Sequence, residues 1–463
     1  MLTNDILLLI ISIPLIGAIC ISLIDKKNFE NNVRRSSQWT AAFTFAMSLW
    51  LFTADSEKSS ILASSQNSVC LVVMTTFLML ISVIISQNEI KAELKKKFYI
   101  LIFALEALFV ALFSTADILV FYILLELIML LTFILLGGFA SNSIYAVKFL
   151  IILFVGMFFL LCGVIYLISV AEASEVTTLI NYAFNFKQEC IIFSTLFIGF
   201  AGLALQFPLH VWLPEAHAAS PTSVQIIISV ILPKIGAFGL LTILLPIADG
   251  ICRSLSTYVL WIGALTTGYA TMAALIQKVA RHTAAYSSIA YAGLLVIGIF
   301  SGGDIGRTGA FFHMISHSLV LTMLLVVISI VENRFKQLKQ QEGNISITLQ
   351  SIPYLLNFAL VPMLSLSSIP LLPCFVGNFL ILCGCWKNHP SLCFIICFLL
   401  AAGGSHAIRT YQRVSQGESN LKKIYLTKAE WFCLASLAVT IFALGIYPRM
   451  LITPTDQRIE RKQ

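Results

Sequence analysis

Apolar residues run along this chain in long blocks separated by short polar connections, with little of the alternation that marks an amphipathic surface helix. An α-helix rises 1.5 Å per residue, so about 20 mostly apolar residues cross the hydrocarbon core of a bilayer. Blocks of that kind lie at 4–24, 38–54, 68–87, 98–114, 117–138, 146–170, 190–207, 222–247, 256–278, 285–301, 308–331, 352–386, 391–410 and 429–448. Each predicts a helix that is hydrophobic on all sides. The block 352–386 is too long for one straight crossing, and Pro362, Pro370 and Pro373 mark where it breaks. A second break is predicted near 200–222, where Pro208, Pro214 and Pro221 interrupt apolar sequence. The expectation is an all-α, polytopic membrane protein with about fourteen transmembrane helices, two of them broken.

Composition agrees with this picture and removes the soluble alternatives. The chain of 463 residues is 59% hydrophobic and 11% charged, with a mean hydropathy of +0.93, far from the balance of a soluble domain. The first block, Ile6 to Ile24, lacks a small-residue cleavage site and reads as a retained helix rather than a signal peptide. No soluble domain is inserted between the helices, and the tail after Tyr447 is polar. A net charge of +7 points to loops facing anionic lipid, not to nucleic acid.

The basic residues also suggest an orientation. If the N-terminus is outside, the loops placed inside hold Lys26, Lys27, Arg34 and Arg35; then Lys91 and Lys95 to Lys97; then Lys278 and Arg281. Further along they hold Arg334, Lys336 and Lys339, then Arg409, Arg413, Lys422, Lys423 and Lys428. The outside loops hold far fewer, among them Lys58, Lys187 and Arg307. The positive-inside rule therefore favours both termini on the outer face.

Few ionisable residues lie within the blocks, and a charge inside a membrane helix is by default a functional hypothesis. Glu126 and Lys234 stand mid-helix and read as proton-path groups. Lys148 stands near a helix start, where it reads equally as a relay or as a snorkelling cation. Glu106 reads as a packing carboxyl. His313 and His317 are four apart and share a helix face, as relay groups or as satisfied core histidines. His210 and His217 flank Pro214, where either could instead cap a free carbonyl. Burial brings the pKa values of carboxylates and amines toward one another, and a chain of such groups bridged by water conducts protons. Eleven cysteines are scattered through apolar sequence without a CxxC, and no glycine-rich nucleotide loop follows a strand. No cofactor is expected on this chain, so any redox chemistry belongs to partner subunits.

Four further features carry a resemblance. The stretch Phe207-Pro208-Leu209-His210-x-Trp212-Leu213-Pro214-Glu215-Ala216-His217 is followed by Pro221-Thr222 and by Leu232-x-Lys234-x-Gly236. Asp117 to Tyr122 leads to Glu126, Ala285-Tyr286-Ser287-Ser288 opens a later helix, and Met314 to Val320 carries His317. Over about 98–386 these resemble the antiporter-like subunits of respiratory complex I, relatives of multisubunit Na+/H+ antiporters and membrane-bound hydrogenases. The resemblance implies peripheral helices over 1–97, a first half-channel bundle over 98–250, a second over 251–410, and a last helix with a polar tail over 411–463. It implies a translocase subunit that conducts protons through buried charges and water, coupled to electron transfer in partner membrane subunits. The membrane implied is a bacterial inner membrane or its organellar equivalent. Glu126 takes the family's carboxylate role, Lys234 the central lysine role and His317 a relay role.

The departures are as specific. The family's helix-seven lysine falls on Leu203, and its acidic residue on the broken helix falls on Asn378. An acidic position falls on Val279 and an arginine position on Thr242. A non-pumping paralogue, or a cation/proton antiporter subunit, is therefore kept as an alternative.

Overall fold

The computed structural model describes residues 2–24, 29–53, 65–342, 352, 354–415 and 425–451. Lys26, Lys27, Lys58, Lys422, Lys423 and the polar tail from 452 onward lie outside the described residues. The helices of the first half are α1 (Leu2–Ser22), α2 (Phe29–Leu49), α3 (Gln66–Glu89), α4 (Ala92–Ser114), α5 (Ile118–Phe139), α6 (Ile144–Ala171), the short α7 (Val176–Asn181), α8 (Phe186–Leu203), α9 (Leu213–Ala219) and α10 (Thr222–Ile247). Then come α11 (Asp249–Ile276), α12 (Ala280–Phe300), α13 (Asp304–Glu342), α14 (Leu355–Leu366), α15 (Pro373–Trp386), α16 (Pro390–Ser415) and α17 (Lys428–Ile446). Among the described residues the only strand-like pairing is an isolated bridge between Asp117 and Glu175.

Twelve of these helices are long and apolar enough to cross a membrane. Two predicted crossings differ from the rest. The helix expected at 38–54 begins at Phe29 and is too polar to count by composition. Its hydroxyls turn inward, with Thr44 donating to the Thr40 carbonyl and Ser48 meeting Thr76 of α3 at 2.8 Å. The block 352–386 divides into α14 and α15, each too short to cross alone. Elsewhere the helices outrun the apolar blocks. α13 continues past 331 to Glu342, because its polar last turns still form intrahelical bonds and Arg334 reaches Glu430 of α17 at 2.9 Å.

The chain forms two compact units, one of Met1–Leu205 with Leu209–Cys252, the other of Gln206–Pro208 with Arg253–Gln463. In the first unit α10 lies almost wholly buried and carries two π-helical widenings, at Ile226–Ile231 and Leu240–Leu244. Each ends just before a proline, Pro233 and Pro246. A proline ring lacks the N–H and collides with the carbonyl four residues back, and a π-turn relieves that collision without ending the helix. Gly236 brings α10 onto the end of α8: a Cβ there would stand 2.4 Å from the Ala204 backbone nitrogen and 2.6 Å from the Phe200 carbonyl oxygen.

In the second unit the broken span is α14, a turn over 367–372, and α15. The turn reverses through left-handed backbone at Ser368 and Leu371, and Pro373 opens α15 at a position where no N–H is needed. The free Leu366 carbonyl at the end of α14 accepts a hydrogen bond from the Tyr291 hydroxyl of α12 at 2.5 Å. α15 runs along α13 with backbone-close contacts. A Cβ on Gly384 would lie 2.5 Å from Gly306, and one on Gly377 would lie 2.9 Å from the Cβ of His313.

Three variants follow from these contacts. Gly236→Ala should destabilise the protein by about 1–3 kcal/mol, since backbone atoms cannot step aside, and should lower the thermal unfolding temperature in detergent. Gly138→Ala, whose Cβ meets nothing within 4 Å, should leave that temperature unchanged or raise it. Tyr291→Phe should cost about 1–3 kcal/mol by leaving the Leu366 carbonyl unsatisfied, measured in the same assay.

Candidate functional site

The groups that sequence singled out fall into both units. In the first unit the chain between α8 and α10 is a buried polar elbow. Trp212, fully buried, meets Phe149 of α6 edge to face at 4.9 Å and fixes the elbow against the bundle. His210 and His217 are buried at 1% and 0% exposure on either side of α9's first turn. The Gln225 side chain donates to the carbonyls of His217 at 2.8 Å and Ser220 at 3.0 Å, taking up acceptors that the broken helix frees. Glu89, at the end of α3, accepts from the backbone and hydroxyl of Ser223 at 3.2 and 3.3 Å. It lays a carboxylate on the positive end of α10, where the helix dipole favours it.

Lys234 lies between the two π-helical widenings of α10 at 3% exposure. π-Turns recur at functional positions because they re-aim side chains without ending the helix. Leu203 stands at the α8 end that Gly236 touches and is itself buried at 1%. Glu126 is half-buried on α5, and the Tyr122 hydroxyl, one turn back, donates to its carboxylate. Lys148 is half exposed and paired with Glu215 of α9. An exposed pair of this kind contributes about 1 kcal/mol at most, so the structure places Lys148 on the rim of the first unit rather than in its interior. Glu106 of α4 is fully buried, and neither carboxyl oxygen has a hydrogen-bond partner among the described residues.

In the second unit the imidazoles of His313 and His317 are stacked with centroids 5.6 Å apart. The ring of Tyr291 lies against both, at 5.1 Å and 4.5 Å. All three side chains are buried. Gly377 presses α15 onto His313, so the next residue, Asn378, belongs to the same seam. Its amide donates to the Ser368 hydroxyl at 2.7 Å, while its oxygen has no partner among the described residues. The seam thus offers two imidazoles that accept and return protons, a phenol that orients them, and an amide that hydrogen-bonds but does not titrate.

Sequence reading reached the lysine and the histidines but missed Glu89, Gln225 and Tyr291. Glu89 and Tyr291 act on segments distant in sequence, and Gln225 acts back across the break, five and eight residues away. The one signal available was a polar side chain inside or at the end of an apolar block. Among the described residues no group of three or more His, Cys, Asp or Glu side chains gathers as a metal site.

Comparison with known proteins places this geometry. Residues 115–403 match the family described as NADH:quinone oxidoreductase/Mrp antiporter, transmembrane. The chain is 32% identical over 401 residues to NADH-quinone oxidoreductase subunit M of Rickettsia prowazekii, covering 84% of this chain and 80% of that protein. It is 31% identical over 408 residues to NADH-ubiquinone oxidoreductase chain 4 of Metridium senile, covering 85% and 80%. Among solved structures, a chain of respiratory complex I from Thermus thermophilus superposes with a TM-score of 0.84 at 20% identity, over 96% of each chain. A chain of the Mrp complex from Dietzia superposes with a TM-score of 0.83 at 16% identity, over 97% of this chain and 96% of that one. The last two share the fold; the first two share sequence along most of their length. Together with the family match, they establish that the chain belongs to the NADH:quinone oxidoreductase/Mrp antiporter transmembrane family.

Proposed function

We propose that this chain is a proton-conducting membrane subunit, of the subunit M or chain 4 type, in an NADH:quinone oxidoreductase complex. The observation that carries the reading is Lys234, a lysine at 3% exposure deep in α10, on a chain 32% identical to a subunit M over 84% of its length. A buried ammonium is too costly to keep for packing alone. The groups that carry protons are Glu126 and Lys234 in the first unit and His313 and His317 in the second, with water between them. Lys148 and His210 lie at the elbow end of the first unit and connect it to solvent. Electron carriers reside on partner subunits, and changes of charge there load and unload these groups. The chain sits multi-pass in a bacterial inner membrane or its organellar equivalent with both termini on the outer face, as its basic loops favour.

Leu203 and Asn378 favour one competing reading. A leucine and an amide stand where the family resemblance implies titrating side chains. A non-pumping paralogue would keep the fold and the assembly contacts without conducting.

Lys234→Met in the assembled complex decides the first point. In membrane vesicles fed NADH, the acidification signal should collapse while the subunit remains in the complex on a native gel. Undiminished acidification by that variant would sink the proposal. Acidification that rises only when Leu203→Lys and Asn378→Glu are introduced together would establish the paralogue instead.

A further inference from the structure

Five helices of the second unit enclose a space that their side chains do not fill. The cavity, of about 170 Å³, lies among α11, α12, α13, α14 and α16. It exists because these helices face one another with small residues: Ala274, Ala284, Ala290, Ala359, Gly403 and Ala407. Its walls are otherwise mostly apolar, with Leu294, Leu324 and Met363 among them, interrupted by hydroxyls such as those of Thr267 and Thr271. An apolar void of comparable size, engineered into another protein, stays dry and takes up an apolar guest.

The lining extends along one helix. Along α12 the lining runs from Ala280 to Leu294, about 20 Å at the helical rise of 1.5 Å per residue. At one end Ala280 is exposed, Thr283, Ser287 and Tyr411 are half-buried, and Glu332, ion-paired with Arg281, lines the lip. Lys278, exposed in the turn between α11 and α12, stands two residues from Ala280, and no ion pair engages it among the described residues. The other end is the buried pair Tyr291 and Leu294.

The geometry points to a site for one acyl chain of an anionic phospholipid, with its phosphate held at the mouth by Lys278 beside Arg281. A cavity that follows α12 for about 20 Å, mostly apolar along its walls with its one charged lining residue, Glu332, beside Arg281 at the mouth, complements a lipid tail and headgroup better than a compact polar ligand. The mouth lies at the helix ends, which is the level of lipid headgroups in a chain that crosses the bilayer. The tail ends against the ring of Tyr291, on the side of α12 that also packs on His317. The site does not depend on whether that imidazole carries protons.

The test uses phosphatidylglycerol bearing a diazirine in one acyl tail, incorporated into native membrane vesicles that contain the full chain. After illumination, labelled peptides are mapped by mass spectrometry. Label is expected on the α12 and α16 peptides that line the cavity. It should fall about fivefold in Lys278→Ala, the loss expected for one basic residue at an anionic surface. Ala284→Phe, which fills the space, should abolish it, and Ala359→Met provides a gentler filling should Ala284→Phe fail to assemble. Absence of label from those peptides, while exposed peptides of α6 are labelled, would overturn the assignment. Equal labelling by a headless diazirine alkane, with no effect of Lys278→Ala, would overturn it in favour of a neutral apolar guest. All of these outcomes are read without measuring proton transfer.

Discussion

In hydrocarbon no water takes over a backbone group that a helix releases, so a broken helix persists only where side chains satisfy it. Both breaks in this chain obey that constraint by the same device. Gln225 donates to the His217 and Ser220 carbonyls at the elbow before α10, and Tyr291 donates to the Leu366 carbonyl at the end of α14. Prolines alone would only open the helices. It is these side-chain donors that make each opening a defined structure, and so make it available as a place for polar chemistry inside an apolar bundle.

The consequence reaches the candidate groups directly. The elbow carries two buried histidines, and its exit helix carries Lys234 between two π-helical widenings. The second break is held by a tyrosine whose ring is also the surface against which His313 and His317 lie. One residue thus serves both the backbone and the imidazoles, which couples the shape of the broken span to the orientation of its titrating neighbours. Small residues supply the close approach that this needs. Gly236 seats α10 on α8, and Gly377 seats α15 on His313, as expected where helices pack without a hydrophobic driving force of their own.

Most of the architecture was legible because hydrocarbon imposes a length and a polarity on every crossing. The all-helical fold and both breaks followed from block length and proline position. The errors fell where that logic stops applying. α2 begins nine residues before the block expected at 38, since hydroxyls that bond back to their own helix are tolerated inside a bundle. α13 continues beyond 331 because intrahelical hydrogen bonds do not end where apolar sequence ends. Lys234, His313 and His317 were legible as anomalies in apolar sequence. Glu89 and Tyr291 were not, because a carboxylate at a helix end and a tyrosine in an apolar helix are unremarkable until folding shows what they touch. Lys148 was legible as a charge near a helix end, but its ion pair was not, since its partner Glu215 is distant in sequence.

The departures from the family pattern also find a physical account within the first unit. Where the resemblance implies a lysine on α8, Leu203 is buried at the contact that Gly236 makes with the α8 backbone. A carboxylate on α5 deprived of that cation would be left without compensation, yet Glu126 accepts a hydrogen bond from Tyr122 on its own helix. A phenol donor stabilises a carboxylate without a second charge, so Leu203 leaves no orphaned ion behind. The substitution and the local hydrogen bond form a consistent pair. The same does not hold in the second unit, where the Asn378 oxygen is buried without a partner among the described residues. His313 lies across the α13–α15 seam from Gly377, the residue next to Asn378. An amide hydrogen-bonds but does not titrate, so on the proposed function the groups of this seam that take up and release protons are the imidazoles and not Asn378.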